Sequence, residues 1–265
     1  MNTGVTTIRN YSRPVRDEAK ERARALALPY IPRKGTLEEM AAMNHMDGFL
    51  IYGKKQPSFW TGGEEYRFHL GTAVLRTAQM ERGNSDRLCR LLPPERPLSV
   101  LDATFGQGGD STVMSWFLGK EGNVTSLEKS TVLYEIGRVG LSSFDGGNER
   151  ITKALRRIHL LHEDFRTFLQ RAVPKSFDVI YFDTMFRAPV KRDVNRMEGF
   201  RRAASYDLLD EEVLTLALHI ARKRIIVKER PFSPLFQNSL FCFLVRTLVF
   251  PHIKCHSDKS FRVRI

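Results

Sequence analysis

Hydrophobic positions follow two different rhythms in this chain, and a proline cluster, LLPPERP at residues 91–97, separates them. Downstream of it, short apolar runs with β-branched character alternate with segments whose apolar residues recur every three or four positions. LSVLDATF, GNVTSLE, RIHLLHEDF, SFDVIYFD and RKRIIVKE read as strands; STVMSWFLG, STVLYEIGRVGLSSF and LLDEEVLTLALHIARK read as helices. Strand and helix alternating at this spacing predict parallel strands joined by crossover helices, that is, a doubly wound α/β sheet. The terminal SDKSFRVRI alternates in character and predicts an antiparallel edge strand.

Upstream of the prolines the texture is mixed. Pro14 to Leu28 predicts a helix, with proline in the first turn and alanines and arginines after it. GFLIYGKK and PSFWTGGEEYRFHL predict short strands joined by glycines, and Thr72 to Leu92 predicts a helix burying Val74, Leu75, Ala78, Leu88 and Leu91. Prolines restrict their own backbone and that of the preceding residue, so the cluster reads as a connector. The expected organisation is a small α+β unit over residues 1–92 and an α/β domain over residues 93–265. Trp60, Tyr66, Phe68 and His69 fit the core of the small unit, and Cys89 a small buried position.

Composition narrows the class of partner. Lys and Arg number 42 against 30 Asp and Glu, a formal charge of +12, and both parts of the chain are basic. That excess favours a polyanionic partner, nucleic acid ahead of an acidic membrane. Hydrophobic residues at 42% and charged residues at 27% describe a folded chain. Cys89, Cys242 and Cys255 are too few and too scattered for a disulfide framework, which predicts a reducing, cytoplasmic setting. The apolar stretch from Leu240 to Phe250 is interrupted by Arg246 and too short to span a bilayer, and the N-terminal residues lack an apolar leader region. His252, Cys255 and His256 lack a fourth ligand at a recognised spacing, so no metal is expected. His159 and His162 fall in a strand, where packing or exposure accounts for them.

In a doubly wound sheet, ligands bind where the strands end and the strand order reverses. The first strand of the α/β part ends at Asp102 and runs into a turn containing Gly106, Gly108, Gly109 and Asp110. Glycines there let the backbone approach a ligand closely. The second strand ends at Glu128, where a carboxylate can accept both hydroxyls of a ribose. Asp164 follows the third strand and Asp183 ends the fourth. A dinucleotide site needs G-x-G-x-x-G directly after the strand; here the third glycine position is Ser111. Asp102 and Asp110 would repel a pyrophosphate, whereas Asp102 and the turn carbonyls suit a cofactor carrying an amine and a sulfonium.

LDATFGQGGDSTVMSWFLG, VTSLEKSTVLYEIGRVGL, IHLLHEDF, DVIYFDTMF and ARKRIIVKERP together resemble the RsmJ family of bacterial 16S rRNA guanine-N2 methyltransferases, over residues 98 to 232. The stretch from Arg67 to Arg76 is similar to an upstream region of related Gram-positive proteins. The resemblance implies a class I, Rossmann-like methyltransferase sheet of seven mostly parallel strands, with S-adenosylmethionine as cofactor. It implies cofactor contacts at Gly109 and Asp110, Glu128 and Lys129, Asp164 and Phe165, and Asp183, with Asp164 facing the adenine amine and Phe165 packing on the ring. The family's D-P-M-[FY] stands here as Asp183-Thr184-Met185-Phe186, so the proline that would stiffen this turn is absent.

Methyl transfer to an exocyclic amine needs the nitrogen held within about 3–3.5 Å of the methyl carbon and an acceptor for the amine's hydrogens. Asp183 is the expected acceptor, and Phe186 the residue expected to stack on a flipped or single-stranded base, with core packing as its alternative. The segment 187–202 carries Arg187, Lys191, Arg192, Arg196, Arg201 and Arg202, the expected contacts for phosphates flanking the target, with a solvated helix face as the alternative. Lys228 and Arg230 would extend that surface. The expected partner is RNA, small-subunit rRNA or its ribosomal particle. Competing readings are a methyltransferase for another nucleobase or small amine, and an RNA-binding or assembly module without turnover.

Overall fold

The computed structural model of the protein describes residues 1–183, 209–228 and 253–257. Along the chain the elements are β1 (Thr3–Thr7), α1 (Arg13–Ala25), α2 (Leu37–Asn44), β2 (Gly48–Tyr52), β3 (Ser58–Thr61), β4 (Glu64–Arg67), α3 (Ala73–Glu81), β5 (Ser99–Asp102) and α4 (Gly109–Leu118). They continue with β6 (Asn123–Glu128), α5 (Thr131–Ser143), α6 (Glu149–Arg156), β7 (Ile158–His162), α7 (Phe165–Arg171), β8 (Phe177–Asp183), α8 (Glu211–Ile220), β9 (Ala221–Lys228) and β10 (Ile253–Ser257). Their contacts fall into two compact units, one of Met1–His69 with Ser130–Phe144, the other of the remaining described residues.

The first unit holds a four-stranded sheet in the order β1-β2-β3-β4. β1 runs parallel to β2, and the other pairings are antiparallel. The β1 segment TGVTT is too polar to announce a strand, yet all five residues are buried. Its far edge is covered by the chain at Tyr30: Val5 N–H donates to the Pro29 carbonyl and Ile31 N–H to the Val5 carbonyl, each at 2.8 Å. Helix α2, also unannounced, starts on a capping box in which Thr36 and Glu39 each accept the other's backbone N–H. Helix α5 belongs to this unit. Its Glu135 is fully buried and accepts from Arg22 (2.7 and 3.0 Å), Arg138 (2.7 and 3.0 Å) and the Tyr52 hydroxyl (2.6 Å). Gly140 lets the Phe68 ring lie directly on the helix, since a Cβ there would come within 2.1 Å of it.

The second unit is the doubly wound sheet, in the order β10-β9-β8-β5-β6-β7. β5 to β9 are mutually parallel and β10 is antiparallel to β9, so six of the seven expected strands lie among the described residues. The period-two pattern divides the core between two faces: Leu101, Ile180, Phe182, Ile225 and Val227 pack under α7 and α8, while Val100, Val179, Tyr181 and Ile226 pack with Met114 and Leu118 of α4. After β7 the chain crosses to the other side of β5, which makes the carboxyl ends of β5 and β8 the point where strand order reverses.

Two expectations need correction. The helix expected from Thr72 to Leu92 stops at Glu81, because Arg82-Gly83-Asn84 turns with Gly83 at φ +86°, and only a single tight turn re-forms at Cys89–Leu91. Residues 70–92, grouped by sequence with the N-terminal part, sit in the second unit, where α3 packs on α4. An antiparallel edge strand is present at 253–257, and all of SDKSFRVRI but Ser257 lies outside the described residues.

Candidate active site

The turn after β5 is built from beneath. Asp102, only 1% exposed, accepts the Thr104 N–H at 3.1 Å and the Ser111 hydroxyl, and Ser111 lies 2.8 Å from the Ser126 hydroxyl. Burial lifts the Asp102 carboxyl to about 7. Both of its oxygens are engaged inside the turn, so Asp102 shapes the loop rather than facing outward. Gly106 and Gly108 adopt φ of +57° and +76°, and a Cβ on Gly108 would stand 2.5 Å from the Phe105 ring. Gly109 then opens α4.

Towards β6 and β7 the strand ends carry carboxylates. Gly106 N–H donates to Glu128 Oε2 at 2.9 Å, which ties the glycine turn to the end of β6. Asp164 caps α7 by accepting the N–H groups of Arg166 (2.9 Å) and Thr167 (3.1 Å), and pairs with Lys129 at 2.9 Å. Phe165 is 5% exposed, with its ring edge-on to Phe182 at 5.7 Å. Its ring packs in the core cluster with Phe168 and Phe182.

Towards β8 and β9 stands a charged network. The Asp183 N–H donates to the Thr104 hydroxyl at 2.7 Å, which fixes the end of β8 against the turn. Lys228, at the end of β9, donates to Asp183 Oδ2 at 2.6 Å and to Asp110 Oδ2 at 3.2 Å. Asp110 also accepts the Tyr181 hydroxyl at 2.7 Å and a bond from Arg76, whose guanidinium grips Asp86 at 2.8 and 3.0 Å. Burial pushes the Asp183 carboxyl up to about 6, with Asp110 adding to the rise and Lys228 opposing it. Asp110 goes the other way: burial is outweighed by Lys228 and Arg76, which hold it at about 2. Lys228 is raised above its ordinary value because its two carboxylates outweigh the cost of burial.

Sequence reasoning thus brought Asp102, the glycines, Asp110, Glu128, Lys129, Asp164 and Asp183 to one end of one sheet. It missed Arg76, Asp86 and Tyr181, and it placed Lys228 on an RNA-facing surface instead of in an ion-paired network. No periodicity or motif links Arg76 to Asp110 or Asp110 to Lys228; only the fold does. Phe186, Thr184, Arg230 and the whole basic segment with Arg187, Lys191, Arg192, Arg196, Arg201 and Arg202 lie outside the described residues. Among the described residues no cluster of histidine, cysteine or carboxylate side chains could hold a metal.

A family model described as "Putative SAM-dependent methyltransferase" matches residues 66–240. The chain belongs to that family. Its cofactor is therefore S-adenosylmethionine. The methyltransferase is 30% identical to the Bacillus subtilis protein YpiP, described as uncharacterised, over 88% of this chain and 91% of that one. It is 31% identical to ribosomal RNA small subunit methyltransferase J of Hydrogenovibrio crunogenus over 59% of this chain and 56% of the relative, and 32% identical to that of Cellvibrio japonicus over 53% and 54%. The chain spans little more than half the length of these methyltransferase J relatives. The donor set fits the cofactor: Glu128 and Asp164 suit hydroxyls and amines, and the neighbouring Lys129 cation is bound to Asp164.

Proposed function

We propose that the methyltransferase modifies RNA, transferring a methyl group to the exocyclic N2 amine of a guanine in small-subunit rRNA. The observation that carries this reading is Asp183, a partly open carboxylate at the point of strand reversal, beside the glycine turn and ion-paired with Lys228. Bound cofactor supplies an electrophilic methyl on a sulfonium. Glu128 would hold its ribose hydroxyls, the backbone of Gly106 to Gly109 would line its amino-acid part, and Asp164 and Lys129 its adenine end. Asp183 would accept a hydrogen bond from the target amine, orient its lone pair, and meet the positive charge that develops on nitrogen. Turning a base out of its stack is needed to bring the amine there. The likeness to the methyltransferase J enzymes and the charge of +12 support RNA as the substrate class.

The test is transfer of tritium from methyl-labelled S-adenosylmethionine to small-subunit particles and to protein-free rRNA, followed by nucleoside mass spectrometry. N2-methylguanosine is the expected product. Label in a different nucleoside overturns the guanine assignment, and label in neither RNA overturns RNA as substrate. Asp183→Ala is expected to abolish transfer while leaving cofactor affinity within about threefold, since roughly 0.6 kcal/mol separates those values.

A further inference from the structure

Where α6 packs on the last turns of α4, hydrogen-bond donors outnumber acceptors. Arg157, which closes α6, donates from Nη2 to the Ser115 carbonyl at 2.9 Å. Its Nε is buried and finds no acceptor among the described residues. The guanidinium of Arg150 lies 3.7 Å from the centre of the Trp116 ring. Trp116 is 4% exposed, and its indole N–H is likewise buried without an acceptor. Arg150 itself is exposed and makes neither an ion pair nor a hydrogen bond among the described residues.

The two cations stand together without an acid. Burial pushes the Arg157 pKa below its ordinary value, and the Arg150 charge pushes it the same way, with no carboxylate opposing them. Glu149, the acid next to Arg150 in the chain, is taken by Lys153 at 2.7 Å. The scaffold is fixed, because the Ser115 hydroxyl donates to the Ala154 carbonyl at 2.8 Å and ties α4 to α6. The carbonyl end of α4 accounts for one cation, Arg157, which caps it. Arg150 bonds none of those carbonyls and is left over. Stacking on Trp116 occupies the face of its guanidinium and leaves the N–H fork in the plane open, the geometry that grips two oxygens of one phosphate.

The pair also has a defined place. Arg157 directly precedes β7, an edge strand, and α4 runs from the glycine turn away from the carboxyl ends of the strands. The arginines therefore stand at the amino end of β7, opposite the end that carries Glu128 and Asp164. β7 has five residues, each rising about 3.3 Å, so about 16 Å separates the two ends. A stacked strand advances about 3.4 Å per nucleotide and covers that distance in about five.

We propose that Arg150 and Arg157 bind one backbone phosphate of the RNA substrate, about five nucleotides from the base that is methylated. The assignment rests on the RNA reading above and gives the strand a second attachment, remote from the reacting amine. A free phosphate ion offers the same chemistry, and the experiment separates the two.

The test uses the full chain carrying Trp60→Phe, which leaves Trp116 as the sole tryptophan. The probes are a single-stranded RNA of about 16 nucleotides, the upper end of the span of such sites, inorganic phosphate, and S-adenosylmethionine. RNA is expected to change Trp116 emission with the same midpoint as its binding. Arg150→Gln and Arg157→Gln should each weaken RNA binding about three- to tenfold, and the double variant should lower the salt slope by about 0.7, the value for one phosphate on a single strand. Lys34→Gln, exposed in the first unit, makes the same charge change elsewhere. Cofactor affinity by calorimetry should stay within about twofold throughout. RNA binding in the double variant no weaker than in Lys34→Gln overturns the assignment and leaves the RNA reading standing. So does an Arg157→Gln variant that loses urea stability but keeps its RNA affinity, which would make the arginine a helix cap alone. Trp116 emission that answers to phosphate and not to RNA gives the pair to a small anion and overturns it too. A protein that binds the cofactor but no RNA overturns the RNA reading itself, and this attachment with it.

Discussion

Removing the Lys228 ammonium tests whether Asp183 works as a carboxylate. Lys228 lies 2.6 Å from Asp183, and its side chain is 37% exposed against 30% for Asp183. A unit charge pair about 4 Å apart is worth about 1 kcal/mol in bulk water and about 4 kcal/mol near a protein surface. With both partners partly open to solvent, screening places the pair between those limits, at about 1.5–3 kcal/mol. One pKa unit corresponds to about 1.4 kcal/mol, so Lys228→Met should raise the Asp183 pKa by one to two units. The neighbours act in the same direction. Asp110 keeps Arg76 and Tyr181 as partners, stays ionised, and repels a charge on Asp183 from α4, while buried Asp102 lies beneath on β5. Asp183 titrates at about 6 in the intact protein. Its ionised form therefore dominates above that pH, and in Lys228→Met only above about 7–8. The acid limb of kcat/KM for methyl transfer should move up by that interval, lowering the rate at neutral pH about two- to tenfold and recovering it in mild alkali. Lys228→Arg keeps the charge and should keep the limb in place. Carboxyl-carbon NMR of Asp183 in substrate-free protein, assigned with Asp183→Asn, gives the same reading without turnover. An acid limb unmoved in Lys228→Met, with Asp183 titrating at its original pH, would refute the reasoning.

Three further outcomes follow from the geometry. Glu128→Ala removes both the acceptor for the Gly106 N–H and the proposed ribose contact, and should raise the S-adenosylmethionine dissociation constant at least about tenfold by calorimetry, a loss of about 1.4 kcal/mol; unchanged affinity would take Glu128 out of the site. Gly108→Ala forces a Cβ into a left-handed backbone position 2.5 Å from Phe105, and should lower stability by about 1–3 kcal/mol in urea denaturation. Glu135→Ala leaves Arg22 and Arg138 without their shared acceptor inside the first unit, and should cost about 3–5 kcal/mol, read as a drop in the urea midpoint at constant slope.

The parallel sheet was legible because its strands are short apolar runs that end in carboxylates, so one pattern located both the elements and the candidate site. Asp102, Glu128, Asp164 and Asp183 all stand at or just past the end of a strand, as the sequence predicts. β1 was hidden because three of its five residues are threonine; their burial comes from neighbours on both edges, which no local pattern records. Helix α6 escaped because it is only eight residues long and follows a glycine-rich turn, although Asn148 caps it by accepting the Ile151 N–H. The turn at Gly83 was overridden by leucines that continue the helical spacing past it.

The charged network was illegible for a stronger reason. Arg76, Asp110, Tyr181, Asp183 and Lys228 come from α3, α4, β8 and β9, and their pairings span separations of 34 to 118 residues. Charge counting sees only an excess of cations and reads Lys228 as one more of them. The fold pairs the charges instead: Lys228 lies between Asp110 and Asp183, and Arg76 between Asp86 and Asp110. A carboxylate held in such a network suits a nitrogen that becomes positive as it is methylated. A chain with an excess of 12 positive charges can in this way still hold a carboxylate, Asp183, at the point of strand reversal.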